Sequence, residues 1–137
     1  MAVVSTKGSY GLTAMIILAK EKNQKLLQIK DIASKGDIPQ NYLEQILVLL
    51  KKSALVESIR GANGGYRLSK DANNITVYEI LNSLECCMSH TDNKSKNNML
   101  QPFWEDTQKK IMGIFSLTLS ELEEFLEKNS QNFTYHI

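Results

Sequence analysis

The sequence predicts a mainly α fold with one small β-hairpin: a winged helix-turn-helix domain followed by a long C-terminal dimerisation helix. Three observations carry this. Two amphipathic helical patterns are separated by a tight turn containing Gly36. A glycine-rich stretch, RGANGGYRLSK at residues 60–70, lies between two short runs that read as strands. Further on, Leu100, Trp104, Thr107, Ile111 and Ile114 recur at spacings of four, three, four and three. The expected organisation is a winged helix-turn-helix DNA-binding domain over 1–84, a flexible sensor loop over 85–99, and the dimerisation helix with a last helix over 100–137.

From Ser5 to about Lys22, Tyr10, Leu12, Ala14, Met15, Ile16, Ile17, Leu18 and Ala19 make a helix apolar nearly all round, which belongs between other elements. After the polar turn Lys22 to Lys25, Ile29, Ile32 and Ala33 mark a short second helix that Gly36 is expected to stop. Pro39 marks the start of the third, whose buried stripe is Leu43, Ile46, Leu47 and Leu50. At about 100° per residue, Asn41, Glu44, Gln45 and Val48 fall opposite that stripe, flanked by Gln40 and Tyr42. Asn and Gln can address adenine and Glu can accept from cytosine. An ordinary solvated face carries the same polar residues, so this stripe alone does not decide the matter.

The hairpin shifts the balance. Leu55, Val56, Ser58 and Ile59 read as one strand, and Tyr66, Arg67, Leu68 and Ser69 as the other. Gly61, Asn63, Gly64 and Gly65 are expected to supply positive backbone angles between them. Arg60 at the base of a slim tip suits a minor groove or its phosphates. No acid is read within the hairpin to pair with Arg60 or Arg67. A phosphate loop is excluded, since no Gly-Lys-Ser/Thr follows and strands flank the glycines.

Thr76 and Glu79 form a capping box for a fourth helix with Val77, Ile80, Leu81 and Leu84 on its apolar face. Residues 89–98, SHTDNKSKNN, hold no apolar side chain and read as loop. The seam from Leu100 to Ile114, widened by Phe103 and Phe115, is read as a dimer interface on a helix of about four turns, because two-fold symmetry supplies a second half-site. Ser120 and Glu123 read as a second capping box, opening a last helix that buries Leu119, Leu122, Phe125 and Leu126.

With 137 residues, 42% of them hydrophobic, the chain can bury a core. No run approaches the ~20 apolar residues of a membrane span, and no signal-peptide pattern opens the chain, so a cytoplasmic location is expected. The net charge of +1 divides unevenly: residues 1–70 hold eleven Lys/Arg against five Asp/Glu, and residues 71–137 five against ten. A half at +6 suits a polyanion, and a half at −5 should keep away from it. No nucleophile–base pair, metal quartet or phosphate loop points to an enzyme. The rival from another class is a protein interaction module whose wing and third helix hold a partner enzyme.

Ser5-Thr6-Lys7-Gly8 with Tyr10-Gly11-Leu12, the string Tyr42-Leu43-Glu44-Gln45, and Ser58-Ile59-Arg60-Gly61 through Gly64-Gly65-Tyr66 together resemble the Rrf-type family of bacterial regulators, which includes IscR, NsrR and CymR. The resemblance runs from about residue 4 to the end and includes Thr118-Leu119. It implies a homodimeric winged-helix transcription factor, a repressor by preference, bound to double-stranded DNA at an imperfect palindrome, with the fifth helix crossing its partner's. Carried over, Lys7 and Tyr42 contact phosphate, Glu44 and Gln45 meet base edges, and Arg60 with the wing reaches the minor groove. Joined to the reading of the residues, the DNA-binding set is Lys7, Tyr10, Gln40, Asn41, Tyr42, Glu44, Gln45, Lys51, Arg60, Asn63 and Arg67. Ser9 stands where similar proteins often have arginine, which removes one phosphate contact.

Cluster-binding members of that family carry three cysteines spaced about six apart after the fourth helix, since iron-sulfur clusters need several thiolates. Here only Cys86 and Cys87 occur, with His90 and Asp92 nearby, so no iron-sulfur cluster or other cofactor is expected. Neighbouring cysteines also make no structural disulfide framework. The pair reads either as a thiol sensor, open to disulfide formation, soft-metal binding or capping by a small thiol, or as packing beneath the fourth helix. His90 reads as a solvent contact. The chain looks most like the cysteine-metabolism branch, which lacks a cluster and acts through a cysteine synthase. That likeness makes Tyr135, His136 and Ile137 either a tail whose carboxylate a partner captures or a free end.

Overall fold

The computed structural model describes residues 4–85 and 99–134. Helix α1 (Thr6–Ala19) is central, packing against α2 (Ile29–Gly36), α3 (Gln40–Lys52), α4 (Val77–Leu84) and α6 (Leu119–Thr134). That placement explains an all-round apolar sequence: Ala14, Met15, Ile16 and Leu18 are all buried. On the α4 side α1 presents glycines, and a Cβ on Gly11 would overlap Leu84 Cδ1.

The turn between α2 and α3 differs in detail from expectation. Gly36 is the last helical residue, and Asp37 takes the left-handed conformation at φ 52°. Gly36 instead sits in a tight space, since a Cβ there would lie 3.0 Å from both Ile17 Cδ1 and Ile38 Cδ1 and those side chains would have to shift. In α3 the expected stripe of Leu43, Ile46, Leu47 and Leu50 is at most 1% exposed. It joins Met15, Ile32, Ile80 and Leu84 in one apolar cluster.

Strands β1 (Val56–Ile59) and β2 (Gly65–Leu68) form the antiparallel wing, with Val56 opposite Leu68 and Ile59 opposite Gly65. Positive angles occur at Gly61 (φ 120°) and Gly65 (φ 154°) but not, as expected, at Asn63 or Gly64. The turn closes instead through the Gly64 N–H donating to the Gly61 carbonyl at 3.0 Å. A contact unforeseen from the sequence anchors this hairpin. Leu27 and Tyr66 exchange both backbone hydrogen bonds, at 3.0 and 2.7 Å, adding a one-residue third strand. Gly65 makes room for it, because a Cβ there would lie 2.5 Å from the Leu27 carbonyl oxygen.

Helix α4 opens with the expected Thr76 cap, the Glu79 N–H donating to Thr76 Oγ1 at 3.1 Å, but the Glu79 carboxylate pairs with Lys70 at 3.4 Å instead of closing the expected box; the helix buries Val77, Ile80, Leu81 and Leu84. Helix α5 (Gln101–Ile114) has the expected four turns and buries none of its residues. The joint between α5 and α6 is fixed to the start of α4: Val77 N–H donates to Leu117 O at 3.0 Å, Tyr78 N–H to Phe115 O at 2.9 Å, and Leu119 N–H to Ile75 O at 2.8 Å.

Two expectations for α6 are corrected. Its capping box is Thr118 with Glu121, not Ser120 with Glu123: the Glu121 N–H donates to Thr118 Oγ1 at 3.2 Å, and Glu121 Oε1 accepts from the Thr118 N–H at 3.4 Å. Leu119 is fully buried and Leu122 packs at the core's edge, but Phe125 is 58% and Leu126 46% exposed. The chain's own core ends at the first turns of α6, which rest on α1 and on the 3-10 turn Ala72–Asn74.

The two positive-φ wing glycines should respond differently to a methyl group. Gly61→Ala meets no neighbour, so its cost is backbone strain alone, about 1–3 kcal/mol. Gly65→Ala adds a collision with the Leu27 backbone and should cost more, about 1–3 kcal/mol further. Urea unfolding followed by circular dichroism measures both; equal costs would mean that the Leu27 bridge carries no load.

Candidate nucleic-acid interface

The outer face of α3 is open. With its inner stripe locked into the core, Gln40, Asn41, Glu44, Gln45 and Val48 all face solvent, Val48 at 63% exposure. No element of the described chain covers them. Tyr42 behaves differently: it is half-buried, and its ring stands edge-on to Tyr10 at 5.6 Å and 77°. This contact ties the first turn of α3 to α1, and Lys7 lies three residues before Tyr10 on the same side of α1. Lys7, Tyr10 and Tyr42 therefore form one group beside the recognition face.

A second group gathers at the wing base. Lys51, near the end of α3, donates from Nζ to Ser58 Oγ on β1 at 2.7 Å. Arg60 is exposed and forms no ion pair among the described residues. Lys51, Ser58, Arg60 and Tyr66, with Gln28 from the start of α2, line an open hollow between helix and hairpin. Gln28 Nε2 also donates to the Ala62 carbonyl at 3.5 Å. Neither Gln28 nor Ser58 is in the expected DNA-binding set, because the part each plays here comes from a contact made only in the fold. Asn63 is exposed at the wing tip.

Arg67 requires a correction. The hairpin does contain an acid: Glu57 lies directly opposite Arg67 in register, and its Oε1 accepts from Arg67 Nε in an ion pair. Reading β1 through its apolar and hydroxyl residues passed over Glu57. Arg67 therefore has its charge balanced within the sheet, whereas Arg60 has no ion-pair partner among the described residues.

On α5 the expected seam is laid bare. Leu100, Phe103, Trp104 and Ile114 are 53%, 57%, 42% and 69% exposed, and Thr107, Ile111 and Phe115 are half-buried. Cys86, Cys87, His90 and Asp92, and Tyr135, His136 and Ile137 at the other end, lie outside the described residues. Among the described residues no group of three His, Cys, Asp or Glu side chains could hold a metal ion. No described helix is long and apolar enough to cross a membrane.

The inner stripe of α3 is thus locked in the core with its outer face exposed, Arg60 forms no ion pair among the described residues, and α5 carries exposed apolar side chains. Residues 4–130 match the family Rrf2, described as "Iron-dependent Transcriptional regulator". The chain belongs to the Rrf2 family. Among Rrf2 relatives it is 33% identical to the HTH-type transcriptional regulator CymR of Bacillus subtilis, over 98% of this chain and 99% of that one. It is 30% identical to the HTH-type transcriptional regulator IscR of Escherichia coli, over 96% of this chain and 88% of that one. The solved structure of CymR (YrzC), the global cysteine regulator of B. subtilis, superposes with a TM-score of 0.75 at 35% identity, covering 91% of this chain and 98% of that one. The Rrf2 membership agrees with the family likeness of the sequence motifs. It makes the chain a transcriptional regulator and not an enzyme.

The two wing arginines should separate in binding. Arg60→Ala is expected to weaken duplex binding at fixed salt and to lower the slope of log K against log salt by about one per protomer. Arg67→Ala should change the slope by less than half as much, because Glu57 already neutralises it. Fluorescence anisotropy across a salt series reads both, and equal slopes would show that the Glu57 pair opens on DNA.

Proposed function

We propose that the chain acts in the cytoplasm as a homodimeric repressor that occupies a palindromic operator. Each α3 enters a major groove, with Asn41, Glu44 and Gln45 at base edges and Gln40 beside them. Lys7, Tyr42 and Lys51 hold phosphates, Tyr10 backs Tyr42, and Arg60 with Asn63 at the wing tip approaches the neighbouring minor groove. The observation that carries this reading is the division of α3 into a stripe at most 1% exposed and an outer face wholly in solvent. A helix so fixed holds the backbone of its outer face in place, so that ordering on binding falls on the side chains alone.

The dimer is proposed to form through α5, whose Leu100, Phe103, Trp104, Thr107, Ile111, Ile114 and Phe115 supply a continuous apolar seam. Exposed apolar surface of this extent on one helix marks an interaction site. Likeness to a protein named as a global cysteine regulator favours control of sulfur or cysteine genes. On the effector side, the family description is iron-dependent, but the donor set does not fit a thiolate-held cluster: the chain has two cysteines, and they are adjacent. Thiol chemistry at Cys86 and Cys87, with a cysteine synthase docking at Tyr135, His136 and Ile137, is the proposed input.

Selection of a binding site from randomised duplexes by the purified chain tests the core of the proposal. Gln45→Ala should lose discrimination at particular base pairs, whereas Lys7→Ala should weaken all sequences alike. If both variants weakened every duplex equally, base readout by α3 would be refuted. Sedimentation tests the seam: Trp104→Glu with Ile114→Glu should convert a dimer to a monomer and sharply reduce operator affinity. A wild-type chain whose duplex binding ignored salt would point to the protein interaction module instead.

A further inference from the structure

We infer that Glu85 is a positioning residue for DNA binding, its carboxylate holding the first turn of α1 and, through that turn, the phosphate contact of Lys7. The inference rests on the DNA-binding reading above and adds a residue which that reading does not contain. Glu85 immediately follows α4, and its Oε1 accepts from both the backbone N–H and the Oγ–H of Ser5, at 2.9 and 2.5 Å. Ser5 Oγ in turn accepts from the Gly8 N–H at 3.1 Å. One hydrogen-bonded chain therefore runs from the end of α4 through the N-cap into the helix that bears Lys7.

The local sequence is shaped around this contact. A Cβ on residue 8 would overlap Glu85 Oε1 and would stand 2.6 Å from Val4 Cγ1, so glycine is what admits the carboxylate. The charge also suits α1 better than α4. An acid just past the end of α4 is disfavoured by that helix's dipole, whereas at the start of α1 it is favoured. Ser5 and Glu85 are eighty residues apart in sequence, so this contact depends on the fold and on no local propensity.

Its reach follows from what the clamped turn carries. Lys7 sits inside it, and Tyr10 comes one turn later against the Tyr42 ring at 5.6 Å. With the acceptor gone, the Ser5 N–H and Oγ–H lose their partner, and the cap that Ser5 Oγ places on the Gly8 N–H loses its orientation. Lys7 then no longer stands where it meets a phosphate, and that contact is lost from the complex. The loss falls on affinity for any duplex, since Lys7 meets phosphate, and leaves base discrimination by Gln45 unchanged.

The test uses the full chain and a random-sequence DNA duplex, followed by anisotropy across a salt series. Glu85→Ala should weaken binding about fivefold, the scale of a lost cap, and flatten the salt slope to that of Lys7→Ala. The double variant should bind no more weakly than Lys7→Ala alone. Glu85→Gln keeps a carbonyl oxygen as acceptor and should restore both affinity and slope, which a purely ionic role would not allow. Ser5→Ala removes the relay and leaves the carboxylate, and should reproduce the changed slope even if Glu85→Ala fails to fold. Wild-type slope in Glu85→Ala or Ser5→Ala, or losses from Glu85→Ala and Lys7→Ala that multiply, would overturn the inference alone. A wild-type chain without salt-dependent duplex binding would overturn the DNA reading and the inference with it.

Discussion

The apolar contact of α3 with α1 and α4 is the constraint on which the rest of the molecule depends. Fully burying a Leu or Ile is worth roughly 1.5–3 kcal/mol, and α3 commits Leu43, Ile46, Leu47 and Leu50 to the core. The surface ion pairs, such as Lys35 with Glu21 and Lys110 with Asp106, are each worth about 0–1 kcal/mol. The orientation of the recognition face is therefore set by packing. Charges tune what that face meets and leave its direction alone. Close approach of α1 and α4 at Gly8 and Gly11 serves the same end, because any widening there would tilt the floor on which α3 rests.

Charge is apportioned with similar economy. The excess of lysine and arginine in residues 1–70 is not spread evenly over function. Arg67 is committed to Glu57 within the sheet, and Lys51 is steadied by Ser58. Arg60 stays uncommitted at the wing base. In the proposed complex a polyanion would thus meet cations already held in place, together with Arg60, which has no ion-pair partner among the described residues. Within the acidic half, the first turns of α6 rest on α1 and on the Ala72–Asn74 turn, and the outer side of α3 is left in solvent.

Much of this was legible in the residues, and the failures share a cause. The α3 stripe, the wing, the Thr76 cap and the four turns of α5 follow from local periodicity and turn chemistry, which a single segment carries by itself. What escaped depends on partners distant in sequence. Ser120-x-x-Glu123 and Thr118-x-x-Glu121 are equally good capping boxes on paper, and the tie is broken by Leu119 donating to the Ile75 carbonyl. The Leu27–Tyr66 bridge has no sequence pattern at all. Glu57 is plain in the sequence, but its role depends on a register that places Arg67 opposite. Phe125 and Leu126 have the spacing of buried residues, but periodicity names the apolar side of a helix and not what lies against it.

The Leu27 bridge has a mechanical corollary. A bare two-stranded ribbon is marginal in water, and this one is moored to the segment leading into α2, with Gly65 pressed against the mooring. Such a ribbon swings little. In the proposed complex, more of the accommodation would then fall to the double helix, whose bending and groove narrowing vary with base steps that no side chain touches. Operator preference is in that case written partly in the stiffness of the spacer, and the moored ribbon acts as the gauge that measures it.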